Sequence, residues 1–236
     1  MKTNSKNFSS LENALRLLEL FTIAKPEMSV REIAKELSVA ESTAHRLLST
    51  LKKEAFVVKD SYSNKYRLGV FLRYLETVLI KDFKLYQISS SVLKDLSKKT
   101  EENASICILF RNRTFYLNTI ESPNSIYDNL IYPGKLQSLS DTSAGKIFAL
   151  SSTYHDEQLQ NAERELSMLM KNGYLISHNN FSSGLSSIAS PVKNSHGEIV
   201  AAIELLGPEQ RISRKANKYI EYVKEASYKI ERMLNY

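Results

Sequence analysis

The 236-residue chain holds one cysteine, Cys107, and four histidines, His45, His155, His178 and His196, that fall at no metal-ligand spacing. A single thiol excludes an internal disulfide framework and a thiolate-rich zinc site, and it suits a reducing compartment. No apolar run approaches the roughly 18 residues that span a bilayer, and MKTNSKNFSS lacks the apolar core of a signal peptide. A cytoplasmic protein with no membrane partner, metal or cofactor is expected. Enzymatic frames are missing too. In SAGKIFA the Gly145-Lys146 pair has Ser140 and Ile147 where a P-loop needs Gly and Ser or Thr, and SGLSSIA lacks the Gly-x-Ser-x-Gly turn that would expose Ser186 or Ser187 as a nucleophile. Cys107 alternates with Ile106 and Ile108 and reads as a buried structural residue.

What is present is an uneven charge. Of a net +6, residues 42–73 carry +5, with seven basic side chains against Glu54 and Asp60. That excess surrounds VAESTAHRLLSTL, in which Ala44, Leu47, Leu48 and Leu51 recur at the spacing of one buried helix face. The opposite face carries Ser42, Arg46, Ser49, Thr50 and Lys53, with Thr43 and His45 on the flanks. Short hydroxyls around a central arginine are unlike an ordinary solvated face. They suit a recognition helix, which must be slim and rich in donors where it enters the DNA major groove.

Three Ser-x-x-Glu pairs, Ser9 with Glu12, Ser29 with Glu32 and Ser38 with Glu41, read as capping boxes for three successive helices. The few residues around Ser38 leave room only for a sharp crossing, as in a helix-turn-helix, although no turn glycine is present. FVVKDSYSNKYRLG then reads as a hairpin wing, and residues 70–83, without Gly or Pro, as a connecting helix whose apolar richness implies burial against a second subunit. Beyond it come a helix, two strands (ASICILF, TFYLNTI), a turn-rich stretch with Pro123, Pro133 and Gly134, helices over 142–151 and 155–172, two strands (SSIASPV, IVAAIELL) and a closing helix. This is an α+β arrangement. The expected domains are 1–69, a winged helix-turn-helix; 70–83, the connecting helix; and 84–236, an effector-binding domain.

SLENALRLLELF, SVREIAKELSVAESTAHRLLSTL and NKYRLG resemble the winged helix-turn-helix of the IclR family of bacterial transcriptional regulators. SAGKIFA, NGYLIS and IASPVKNSHGEIVAAIELLGPEQR resemble the same family's GAF-like effector domain. The resemblance implies a regulator, as a repressor, that binds a double-stranded operator as a homodimer or dimer of dimers and answers to a small-molecule effector. The chain departs from the family pattern at Ala55, where a glycine is common, at Ser187, where many members carry cysteine, and at Glu204 and Leu206, where several carry serines.

Ser42 and Thr43 are expected to approach phosphates or bases, and Arg46 to bond a guanine in two places. Ser29, Arg31 and Ser49, with Lys59, Lys65 and Arg67 of the wing, complete the expected DNA-contacting set, while His45 either packs on the wing or bonds a phosphate. The effector is expected against Gly134, Ser143, Ala144, Gly145, Ser177, Ser187, Glu204 and Leu206. Strand periodicity puts Glu204 on the same face as Val200, Ala202 and Leu206. Glu204 then either lines the pocket, paired with Lys146, Arg211 or a donor on the effector, or lies on a solvated edge. A lining carboxylate would exclude small carboxylates such as glyoxylate or pyruvate and favour an amine-bearing or hydroxyl-rich ligand. The remaining alternative is a metabolite-binding or enzymatic protein whose winged helix serves only protein contact.

Overall fold

A computed structural model describes residues 8–125, 130–151, 162–180 and 184–234. The chain divides into two compact units, Met1–Asp82 and Phe83–Tyr236.

The first unit holds helices α1 (Ser10–Glu19), α2 (Val30–Leu37) and α3 (Glu41–Lys53), the hairpin β1 (Val57–Lys59) and β2 (Tyr66–Leu68), and α4 (Phe71–Asp82). Leu17, Ile33, Leu37, Ala44, Leu48, Val57 and Tyr66 meet in one core. The capping boxes of Ser9 and Ser29 form as the sequence implies. The third does not. Ser38 ends α2 in the left-handed conformation (φ 57°), doing the work of the missing turn glycine, so α3 starts later, with Ala40 as its cap and no side-chain cap bond. Glu41 consequently falls in the first turn of α3, where its charge favours the positive helix end.

The start of α4 is bound to the segment between α3 and β1. The Phe71 ring meets Phe56 edge-on at 5.0 Å, and the Gly69 N–H donates to Phe56 O at 2.7 Å. The connecting helix falls within the first unit, which runs to Asp82. None of its residues is buried in the single chain.

The second unit is built on a six-stranded antiparallel sheet ordered β5-β4-β3-β8-β7-β6. Its strands are β3 (Asn103–Phe110), β4 (Arg113–Ile120), β5 (Leu136–Gln137), β6 (Leu175–Asn180), β7 (Leu185–Lys193) and β8 (Ile199–Pro208). Helices α5 (Lys84–Thr100) and α9 (Ala216–Leu234) cover one face over Ile106, Ile188, Ile203 and Leu205. The other face carries Cys107, Tyr116, Ala189, Ala202 and Leu206 beneath α6 (Ser143–Ser151) and Leu169 of α7 (Ala162–Asn172); the short α8 (Glu209–Arg214) leads into α9. From Ala201 to Leu206 the faces of β8 alternate as a period of two implies, whereas Ile199, paired with Lys193 beyond a register shift, packs with the Cys107 face instead of with Ala201, Ile203 and Leu205. Residues 155–161 of the expected helix over 155–172 lie outside the described residues. No helix among the described residues is long and apolar enough to cross a membrane.

Candidate nucleic-acid interface and effector site

Ala44, Leu47 and Leu48 anchor α3 in the core and leave Ser42, His45, Arg46 and Ser49 exposed, with Thr43 half-buried. The His45 ring is thus on the solvent side of the helix. Arg31 is 90% exposed, and its contact to Glu41 is a 4.0 Å surface pair. Such pairs contribute about 0–1 kcal/mol, so this contact holds the guanidinium only weakly. Ser29 is already engaged. Its hydroxyl caps the Glu32 N–H and donates to Oε2 of Glu32 at 2.8 Å, which orients the helix that carries Arg31.

In the wing, Val58 pairs with Arg67 and Lys59 with Tyr66. Pairing partners share a face, so Lys59 lies on the buried side with Tyr66, its ammonium 5.9 Å from the ring centre, while Arg67 points the other way and is exposed. Lys65 is exposed as well. Asp60 fixes the turn by accepting from the N–H groups of Tyr62 (2.9 Å) and Ser63 (2.7 Å), bonds that hold its carboxyl below the usual range.

The expected effector residues gather mostly on one face of the second sheet. Ser177, Ser187 and Leu206 are consecutive cross-strand partners on β6, β7 and β8, and all three are buried. Above them stands the first turn of α6. The Ser143 N–H donates to Ser187 Oγ at 3.0 Å, and the Ser143 hydroxyl donates to Ser187 O at 2.8 Å. Gly145 allows the helix to close on the preceding loop, since a Cβ there would fall 2.4 Å from Leu139 O. Gly134 is elsewhere, exposed in a turn where its N–H bonds Tyr116 O.

Glu204 is neither on a solvated edge nor paired with a cation. It is wholly enclosed on β8, between Ala189 and Ser105 of the neighbouring strands. Lys146 bonds Glu165 at 2.8 Å, and Arg211 forks onto Glu102 with two bonds of 2.7 Å. Both cations already have carboxylate partners. Four neutral donors serve Glu204 instead: the Tyr116 hydroxyl at 2.8 Å, the Ala144 N–H at 3.0 Å, and the hydroxyls of Thr142 and Ser187. Burial pushes its carboxyl above the usual carboxylate range, and these bonds offset part of that rise. Tyr116 and Thr142 are invisible to sequence reasoning, because only the strand register and the α6 junction bring them to Glu204.

His178 does not form a catalytic relay with Ser186. Its Nδ1 alone faces both Ser186 Oγ (3.1 Å) and Glu209 Oε1 (3.5 Å), whereas a serine–histidine–acid relay uses the two ring nitrogens separately.

Residues 10–61 match the IclR helix-turn-helix domain, and residues 151–232 match the bacterial transcriptional regulator IclR C-terminal domain. The chain belongs to the IclR family. The Glycerol operon regulatory protein of Streptomyces coelicolor is 26% identical over 235 residues, covering 93% of this chain and 92% of that protein. The Transcriptional repressor IclR of Escherichia coli is 22% identical over 224 residues, covering 86% and 81%. Two solved structures share the fold. The IclR regulator from Alicyclobacillus acidocaldarius has a TM-score of 0.83 at 23% identity, covering 96% of this chain and 98% of its own. An IclR homologue from Microbacterium hydrocarbonoxydans, complexed with 4-hydroxybenzoate, has a TM-score of 0.82 at 20% identity, covering 96% and 99%. The IclR family consists of DNA-binding transcriptional regulators, not enzymes.

Proposed function

We propose that this IclR-family chain is a ligand-responsive repressor in the cytoplasm that binds its operator as a dimer or dimer of dimers. The carrying observation is the exposed set on α3, Ser42, His45, Arg46 and Ser49, held rigid by the buried stripe behind it. In this reading Ser42 and Thr43 allow close entry to the major groove, and Arg46 donates two bonds to a guanine. Arg31, Lys65 and Arg67 hold phosphates, and Lys59 adds positive charge at the wing. The exposed apolar side chains of α4 support pairing with a second copy, which would set two recognition helices on successive half-sites. The face bearing Ser177, Ser187 and Leu206 is the proposed small-molecule sensor. That a relative of the same fold holds 4-hydroxybenzoate supports a small organic effector.

Fluorescence anisotropy against DNA upstream of its own and neighbouring genes tests the reading. Arg46→Ala is expected to lose about 1–3 kcal/mol of discrimination between operator and random DNA. Lys65→Ala should weaken both alike and reduce the salt slope by roughly 0.9. Full operator selectivity in Arg46→Ala at fixed salt would refute the assignment of α3.

A further inference from the structure

The first three N–H groups of α6 have no partner within the helix, and each is met by a side-chain oxygen of the chain itself. Ser143 N–H goes to Ser187 Oγ (3.0 Å), Ala144 N–H to Glu204 Oε1 (3.0 Å) and Gly145 N–H to Thr142 Oγ1 (3.2 Å). The Tyr116 hydroxyl closes the seat from β4, donating to the other carboxylate oxygen of Glu204 at 2.8 Å. A helix start with converging hydroxyls is an arrangement that receives anions, and here the anion arrives on the chain's own β8. Beyond Cβ, a glutamate is a methylene and a carboxylate, the same heavy-atom skeleton as acetate.

We propose that Glu204 is a built-in carboxylate ligand: it fills an acetate-shaped seat at the start of α6, keeps the natural chain closed to small carboxylates, and so decides which effector chemistry this IclR-family sensor excludes. A free carboxylate would have to expel the glutamate into surroundings made of Cys107, Ala189 and Ala202, where an unpaired charge has no compensation. It would also compete against a tethered rival, whose effective concentration is far above that of a dilute metabolite. The consequence for regulation rests on the second unit being the small-molecule sensor. The binding itself is read without DNA, so failure of operator recognition and failure of this proposal are separate results.

The test uses the full chain and its Glu204→Ala variant, which deletes the acetate-like fragment. Both are titrated with sodium acetate, propionate and chloride at constant ionic strength by thermal unfolding and calorimetry. The expected result is a saturable rise of a few degrees for Glu204→Ala with acetate, a smaller one with propionate, whose extra methyl has no room, and none with chloride. The natural chain should not respond. Equal acetate responses in both proteins, or a folded Glu204→Ala without one, would overturn the proposal. If Glu204→Ala does not fold alone, acetate but not chloride should restore soluble folded chain, and no recovery would overturn it equally. Glu204→Gln keeps the seat filled and should stay unresponsive; an acetate response from it would also count against the proposal.

Discussion

Glu204 and Tyr116 set how the second unit answers to pH. Glu204 faces two other titratable groups, Tyr116 from β4 and Cys107 from β3, and burial pushes both well above their usual ranges, with Glu204 adding to the rise. Neither ionises where carboxyls do. The Glu204 carboxyl is itself raised above its ordinary 4.5, so over a window beginning there the folded chain keeps a proton that the unfolded chain has lost. Stability therefore falls as pH rises through that window and levels off above the folded pKa. Glu204→Gln should remove this slope. Tyr116→Phe should cost about 1.5–3 kcal/mol once Glu204 is ionised, since a buried carboxylate loses a donor, and should carry the falling window to higher pH. Denaturant unfolding from about pH 4 to 8 measures both. Identical pH profiles for the natural chain and Glu204→Gln would exclude Glu204 as the source.

The junction of α3, wing and α4 is the element that the first unit can least alter. Ala55 sits in the left-handed region (φ 57°), and a Cβ at Gly69 would fall 2.1 Å from Ala55 O. Gly69→Ala is therefore expected to cost about 1–3 kcal/mol, as overpacking against backbone does, and to displace the wing. Ala55→Gly removes the left-handed strain of about 1–2 kcal/mol but adds about 0.4–1 kcal/mol of unfolded-state freedom, so it should leave the chain unchanged or up to about 1.6 kcal/mol more stable. Calorimetric unfolding of the two variants decides this, and an unshifted Gly69→Ala transition would mean that the backbone yields. Elements with strong local signals are legible in the sequence: the boxes at Ser9 and Ser29 and the stripe of α3. The Ser38–Glu41 spacing misleads because one Ser-x-x-Glu spacing fits both a helix start and a helix stop, and only the need for a left-handed residue at the turn distinguishes them. The strand β6, LISHNN, carries too little apolar alternation to declare itself. The partners of Glu204 come from β4, β7 and the start of α6, a convergence set by register that no local pattern encodes.

On the scale of the whole molecule, Val70 just before α4 (79% exposed) and Tyr74 (62%) and Leu79 (60%) within it are uncovered in the single chain. If a second copy covers them, Leu79→Glu should shift the protein from dimer to monomer in light scattering at micromolar concentration, and weaken operator binding by uncoupling the two half-sites. A natural chain that is monomeric under the same conditions, with its helices intact, would remove the basis for that expectation. The enclosed thiol of Cys107 has a use of another kind. It is the chain's sole cysteine and has no solvent exposure, so a thiol-reactive dye reports only those moments when the sheet face beside Glu204 opens. The labelling rate is then a stopwatch for breathing of that core. Any compound that lodges there should slow it, whatever its charge and whether or not it alters DNA binding.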